Sequence, residues 1–159
     1  MDSKQKNKKF DKTFFIEHLA RLPHVVVDQM NKGNVDHLAH DLLESMCLEG
    51  GLPLSCAAFI VDNKDFRCSA GVAAFHRDEK QYQNHKKKVN TYQSCALGED
   101  GIAACAKELG FNDYGVCIIP LKNGNEGIFV YENNEAMQNK DVLAVLPYAL
   151  ALLALCPLF

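Results

Sequence analysis

Apolar residues return every three or four positions near the start of the chain, at Phe15, Leu19, Leu22, Val26 and Met30, with Phe14 and Val27 alongside. That is the period of one helix face. Pro23 lies inside this stretch and removes a backbone donor, so the pattern predicts two short helices or one bent helix. Asn31-Lys32-Gly33-Asn34 reads as a turn, and Asn34 as the N-cap of a second helix carrying Leu38, Leu42, Leu43 and Met46 and ended by Gly50-Gly51. Strand signals follow. Residues 55–61 (SCAAFIV) and 66–75 (FRCSAGVAAF) flank the turn chemistry of Asp62-Asn63-Lys64-Asp65, which predicts a hairpin. Residues 76–90 (HRDEKQYQNHKKKVN) are almost wholly polar, anchored only by Tyr82 and Val89, and predict an exposed helix or loop over one side of the fold.

Residues 91–97 predict a short strand, and Glu99 or Asp100 opens a helix through Ala103, Ala104, Ala106 and Leu109 to Gly110. A second hairpin is expected from residues 114–121 (YGVCIIPL) and 127–132 (GIFVYE), with Asn123-Gly124 supplying a positive-φ turn. Asn139-Lys140-Asp141 starts a last helix, disturbed at Pro147, that runs through Leu150, Leu153 and Leu155. Antiparallel strands with helices segregated to one face make this an α+β arrangement.

At 159 residues, with 48% hydrophobic and 23% charged residues, the chain is long and apolar enough for one folded domain. Residues 1–12 carry five lysines and nothing that packs, so they read as a flexible basic arm before a single domain over 13–159. A formal charge of −3 supplies no global basic field, which argues against a nucleic-acid partner. Seven cysteines without a CxxC pair, and no apolar run of the secretory kind after the lysines, point to a reducing, cytoplasmic setting.

Residues 34–47 followed by CAAFIVDN, then GEDGIAACAKELG at residues 98–110, and above all IIPLKNGNEGIFVYENNEAMQNKDVLAVLPYALALLAL at 118–155 carry a resemblance. Together they resemble the GAF domain, whose ending runs through a proline-leucine strand, a turn, a glycine-led strand and an acid-capped helix. PAS and roadblock-type profilin-like folds produce a similar order. The resemblance implies a small-ligand pocket between sheet and helices near the polar excursion, or a module that only dimerises. The signatures expected for cyclic nucleotides and covalent bilins are missing, and no cofactor is implied.

By this analogy the pocket is bounded by Phe59, Phe75, Cys95, Cys105, Cys117 and Phe129, with polar contacts from residues 76–90. Cys95 and Cys105 also invite comparison with GAF-fold free methionine-R-sulfoxide reductases, in which one thiolate attacks the sulfoxide sulfur and another resolves it; Glu132 is then the candidate carboxylate beside the substrate's ammonium group. No catalytic constellation is favoured, because the third cysteine of that family has only Cys117, inside an expected strand, as its counterpart.

His37 and His40 share a helix face with Cys47 beyond them, yet no second cluster completes a zinc site, so no metal is expected. His76 and His85 flank the polar segment and read as exposed side chains rather than haem ligands. The run Lys86-Lys87-Lys88 reads as a solvated helix face. Residues 142–159 are uncharged and reach the length of a membrane span, but Pro147 and Pro157 and the absence of a basic flank favour a helix that packs on the sheet and meets another chain. The expectation is a non-catalytic, self-associating small-ligand sensor or protein-interaction module that pairs through its terminal helices or binds a protein partner; the alternative is a cysteine-dependent reductase.

Overall fold

The structure, a computed structural model, describes residues 9–33, 38–48 and 50–154. They form two compact units, one of residues up to 53 and from 135 onward, the other of residues 54–134. The expectations for the basic arm up to residue 8, for the Asn34 cap and for His37 fall outside the described residues.

Among the described residues the first unit holds three α-helices: α1 (Lys12–Asn31), α2 (Leu38–Met46) and α5 (Lys140–Leu153). Asp11 caps α1 by accepting the Phe14 N–H at 3.1 Å. The helix then runs unbroken through Pro23, so the single-helix alternative holds. Its buried side, Phe15, Leu22 and Val26, keeps the helical period that the sequence shows. Asn139 caps α5 by accepting the Asp141 N–H at 2.8 Å, and Pro147 lies inside that helix on its exposed side. Val142, Val145, Leu146, Ala149, Leu150 and Leu153 form its buried side. No described helix is long and apolar enough to cross a membrane.

The second unit is a five-stranded antiparallel sheet with two helices. In chain order its elements are β1 (Cys56–Asn63), β2 (Cys68–His76), α3 (Glu79–Asn90), β3 (Gln93–Ser94), α4 (Gly98–Leu109), β4 (Tyr114–Pro120) and β5 (Glu126–Glu132). The sheet order is β3-β2-β1-β5-β4. This α+β architecture is the expected one and is consistent with a GAF- or PAS-like arrangement. Both hairpins form, β1 with β2 and β4 with β5, while β1 and β5 pair at the centre. β1 is the central strand, with β2 and β5 on its two edges, and every one of its residues is buried.

The first turn departs from expectation. β1 continues through Asp62 and Asn63, and the turn moves to residues 64–67, leaving Phe66 80% exposed at its tip. Asp62 tolerates burial because its Oδ2 accepts the N–H of Gly98 at 3.0 Å, at the start of α4, where the helix dipole favours a negative charge. One face of the sheet packs Ile60, Ile128 and Val130 against Ile102, Cys105 and Ala106 of α4, with Tyr92 and Phe111 completing the cluster. Beside it, Ala58 and Ala74 receive Val89 of α3. Small residues in both strands let the helix backbone come close. At Gly71 a β-carbon would overlap the Val89 carbonyl oxygen, and the Gly71 N–H donates to Tyr92 O at 3.1 Å.

Candidate ligand-binding cleft

The polar excursion is helix α3, and its periodicity builds the site. Asp78 caps it by accepting the Lys80 N–H at 3.0 Å, Glu79 lies in its first turn, and Lys87 and Lys88 lie in its last, each sign matching the nearby end of the helix dipole. Gln81, Asn84, His85 and Lys88 follow at i, i+3, i+4 and i+7, the spacing of one helix face, and all four line the same cleft. That face turns towards one end of the sheet rather than to solvent alone.

The strands contribute three side chains. Cys56 opens β1 directly opposite His76, which closes β2. Tyr131 of β5 lies opposite Ala57, so the next step of the same register brings Glu132 alongside Cys56 on the other flank. Leu109, Gly110 and Phe111 close the remaining side, where Gly110 ends α4 in the left-handed conformation at φ 78°. The result is a cleft of about 180 Å³, with a cation at Lys88, an anion at Glu132, two amides and two imidazoles. It lies wholly inside the sheet unit.

His85 is buried, against the expectation of an exposed histidine, because it occupies the inner face of an otherwise solvated helix. Its Nε2 lies 2.9 Å from Ala57 O, and since a carbonyl oxygen can only accept, Nε2 carries a proton and donates. The His76 ring meets the His85 ring edge-on at 5.5 Å, and Phe111 lies 6.2 Å away on another side. Cys56 Sγ sits 3.4 Å from Nε2 and 3.7 Å from Nδ1. A cysteine beside a histidine in a cleft suggests a nucleophile, but the electrostatics oppose it. Burial first, and the Glu132 charge second, push the Cys56 thiol up from 9.0 to about 12, outweighing the Ala57 backbone hydrogen bond and Lys88. A thiol held neutral is a weak nucleophile.

The six pocket residues expected by analogy do not converge. Phe59, Phe129 and Cys117 are register partners across β1, β5 and β4 and therefore share one face of the sheet. Phe75, opposite Ala57, belongs to that face too. Cys105 lies in the cluster on the opposite face, with Ile60 and Ile128, while Cys95 is exposed in the loop before α4. The period of two along a strand explains the split, since odd and even positions of β1 and β5 point to opposite sides. None of the six lines the cleft, whereas His76, Gln81, Asn84, His85 and Lys88 come from the polar segment. The segment expected to supply polar contacts thus contributes Gln81, Asn84 and Lys88 without their having been singled out, while Cys56 and the place of Glu132 in this cleft were missed. The signal available was the polar set at helical spacing on a segment otherwise classed as surface.

The reductase constellation also meets an obstacle. Cys105 is fully buried, and burial, followed by the charge of Glu108, pushes its thiol up to about 12. Among the described residues no group of three or more histidine, cysteine or carboxylate side chains is placed to hold a metal ion; His40 and Cys47 are each buried in or just after α2.

Fold and cleft together define the class: an α+β protein with an open five-stranded antiparallel sheet, carrying at one sheet end a small polar cleft roofed by an amphipathic helix. Comparison with protein families, with curated proteins and with solved structures returns no match for this chain.

Proposed function

We propose that the chain is a GAF-like module that binds a small polar metabolite without transforming it, and that it works in the reducing interior of the cell. The observation that carries this reading is the polar stripe of α3 facing Glu132 across a cleft whose only thiol is held neutral. A cation at Lys88, an anion at Glu132 and the amides of Gln81 and Asn84 supply orientation and hydrogen bonding, while Phe111 and Leu109 supply apolar contact. Acid-base or covalent chemistry draws no support from a thiol at about 12. The reducing compartment is supported by Cys56, Cys68, Cys95, Cys105 and Cys117, which are free thiols.

The sulfoxide-reductase alternative gains nothing from the surroundings of Cys105, where the nucleophile would have to ionise in an apolar cluster.

Native mass spectrometry of the full chain purified from cells tests the proposal. A noncovalent added mass, lost on denaturation and reduced about tenfold in occupancy by Lys88→Glu, is the expected result. Protein that carries no added mass, and whose melting temperature does not move with any of a panel of small polar metabolites, overturns it.

A further inference from the structure

We infer that the open edge of β4 is a self-association surface on which a second copy of this chain adds its own β4 antiparallel, joining two five-stranded sheets through their edges. β4 is the last strand of the sheet order. Asp113 O accepts the Asn133 N–H at 2.9 Å, and the Leu121 N–H donates to Asn125 O at 2.8 Å. The odd positions therefore turn their backbone groups towards β5, and antiparallel alternation turns those of Tyr114, Val116, Ile118 and Pro120 to the open side. The same residues place their side chains in a row on one sheet face, where Val116 is 37% and Ile118 is 50% exposed. Edge strands are normally protected by charge or covered. Here nothing between Asp113 and Lys122 is charged.

Charge complementarity selects the occupant. The uncharged strand has an acid at one end, Asp113, and a base at the other, Lys122, both exposed. An antiparallel copy sets acid beside base at both ends; a parallel copy would set like beside like. Side-chain parity must also match across the new pair, because directly opposed residues share a face. Registers with Cys117 or Ile118 on the twofold axis both meet these conditions, and centring on Cys117 pairs the whole of Tyr114–Pro120 with its copy, setting Val116 opposite the second copy's Ile118 and Asp113 opposite its Leu121, next to Lys122. Val116 and Ile118 then exchange both backbone hydrogen bonds, and the Tyr114 N–H reaches the second copy's Pro120 carbonyl, where proline, lacking an N–H, ends the ladder. A C2 pair of this kind is closed, so it stops at two copies. It involves no residue of the cleft and does not depend on the ligand-binding reading.

Sedimentation velocity of the full chain over a range of concentrations is the test. Wild type should sediment as a dimer, and Val116→Lys and Ile118→Lys, each confirmed folded by circular dichroism, should each raise the dissociation constant by about tenfold or more. Asp113→Lys alone should weaken pairing, and the Asp113→Lys/Lys122→Asp double variant should restore it. In a Cys95→Ser background, mild oxidation should link two chains through Cys117 and fail in Cys117→Ser. A wild type that stays monomeric overturns the proposal, as does a dimer insensitive to both lysine variants but broken by Tyr148→Asp on α5. A dimer that pairs through the edge without a Cys117 link overturns the register.

Discussion

At Cys56, a residue that looks reactive on paper is made inert by where it sits. The thiols of Cys56 and Cys105 have an ordinary value of 9.0 and are both pushed up to about 12 in the folded chain. Above pH 9 the unfolded chain releases these protons while the folded chain keeps them, so rising pH favours unfolding. The stability contributed by the neutral thiols is complete below pH 9 and is lost between 9 and 12. Urea denaturation at a series of pH values should show this decline, and the Cys56→Ala/Cys105→Ala variant should show a shallower one. In the native protein at neutral pH an alkylating reagent should modify the exposed Cys95 well before Cys56 or Cys105, a ranking that peptide mapping can read. Gly71 offers a packing counterpart. A β-carbon there overlaps the Val89 carbonyl, and backbone has little freedom to retreat. Gly71→Ala should cost at least ~2 kcal/mol in a denaturation experiment, far more than a surface substitution.

Among the elements, α3 is the one that contributes most of the polar lining of the cleft, because one face of it is solvated and the other carries Gln81, Asn84, His85 and Lys88. Lys86 sits over the Tyr82 ring at 4.7 Å, so not every member of the lysine run faces solvent alone. Lys88, in the same run, belongs to the cleft. The helix ends are set by local chemistry. Asn139→Ala should lower stability by about 1 kcal/mol through loss of the α5 cap, and Gly110→Ala by about 1 kcal/mol because its φ of 78° strains any β-carbon. Gly110 also lines the cleft, so the second variant should weaken ligand retention as well, whereas Asn139→Ala should leave it unchanged in native mass spectrometry.

At the scale of the whole molecule, the cleft and the β4 edge occupy different residues of the same sheet unit, which makes their separation measurable. Lys88→Glu should lower occupancy of the retained small molecule about tenfold and keep the dimer; Val116→Lys should weaken the dimer about tenfold or more and keep the small molecule. Loss of both properties in either variant would mean that one depends on the other. The terminal helix α5 remains the competing surface, since its outward side carries Leu143 at 40% and Tyr148 at 74% exposure. Its uncharged run reads as a membrane candidate by length alone, yet the described helix, Lys140–Leu153, has 14 residues and is too short to span a bilayer, while residues 155–159 of the run lie outside the described residues.

Local signals were enough to determine most of the elements. The helical period of Phe15, Leu22 and Val26, the glycine stop at Gly110, the asparagine cap at Asn139 and the two strand-turn-strand segments each act over a few residues, so the α+β class was legible without any tertiary information. Boundaries slipped where a distant partner intervened: Asp62 and Asn63 read as turn residues, but the N–H of Gly98, far along the chain, lets the Asp62 carboxylate stay inside a strand. The site was legible only in part. Sequence marked residues 76–90 as polar and therefore suspect, while register decided the rest, placing His76 opposite Cys56 and Glu132 beside it and sending Phe59 and Cys105 to opposite faces. Strand register depends on pairings between segments remote in the chain, and a shift of one residue exchanges the faces. For that physical reason the elements could be read from the sequence, whereas the set of side chains that meet in the cleft was decided by the tertiary structure.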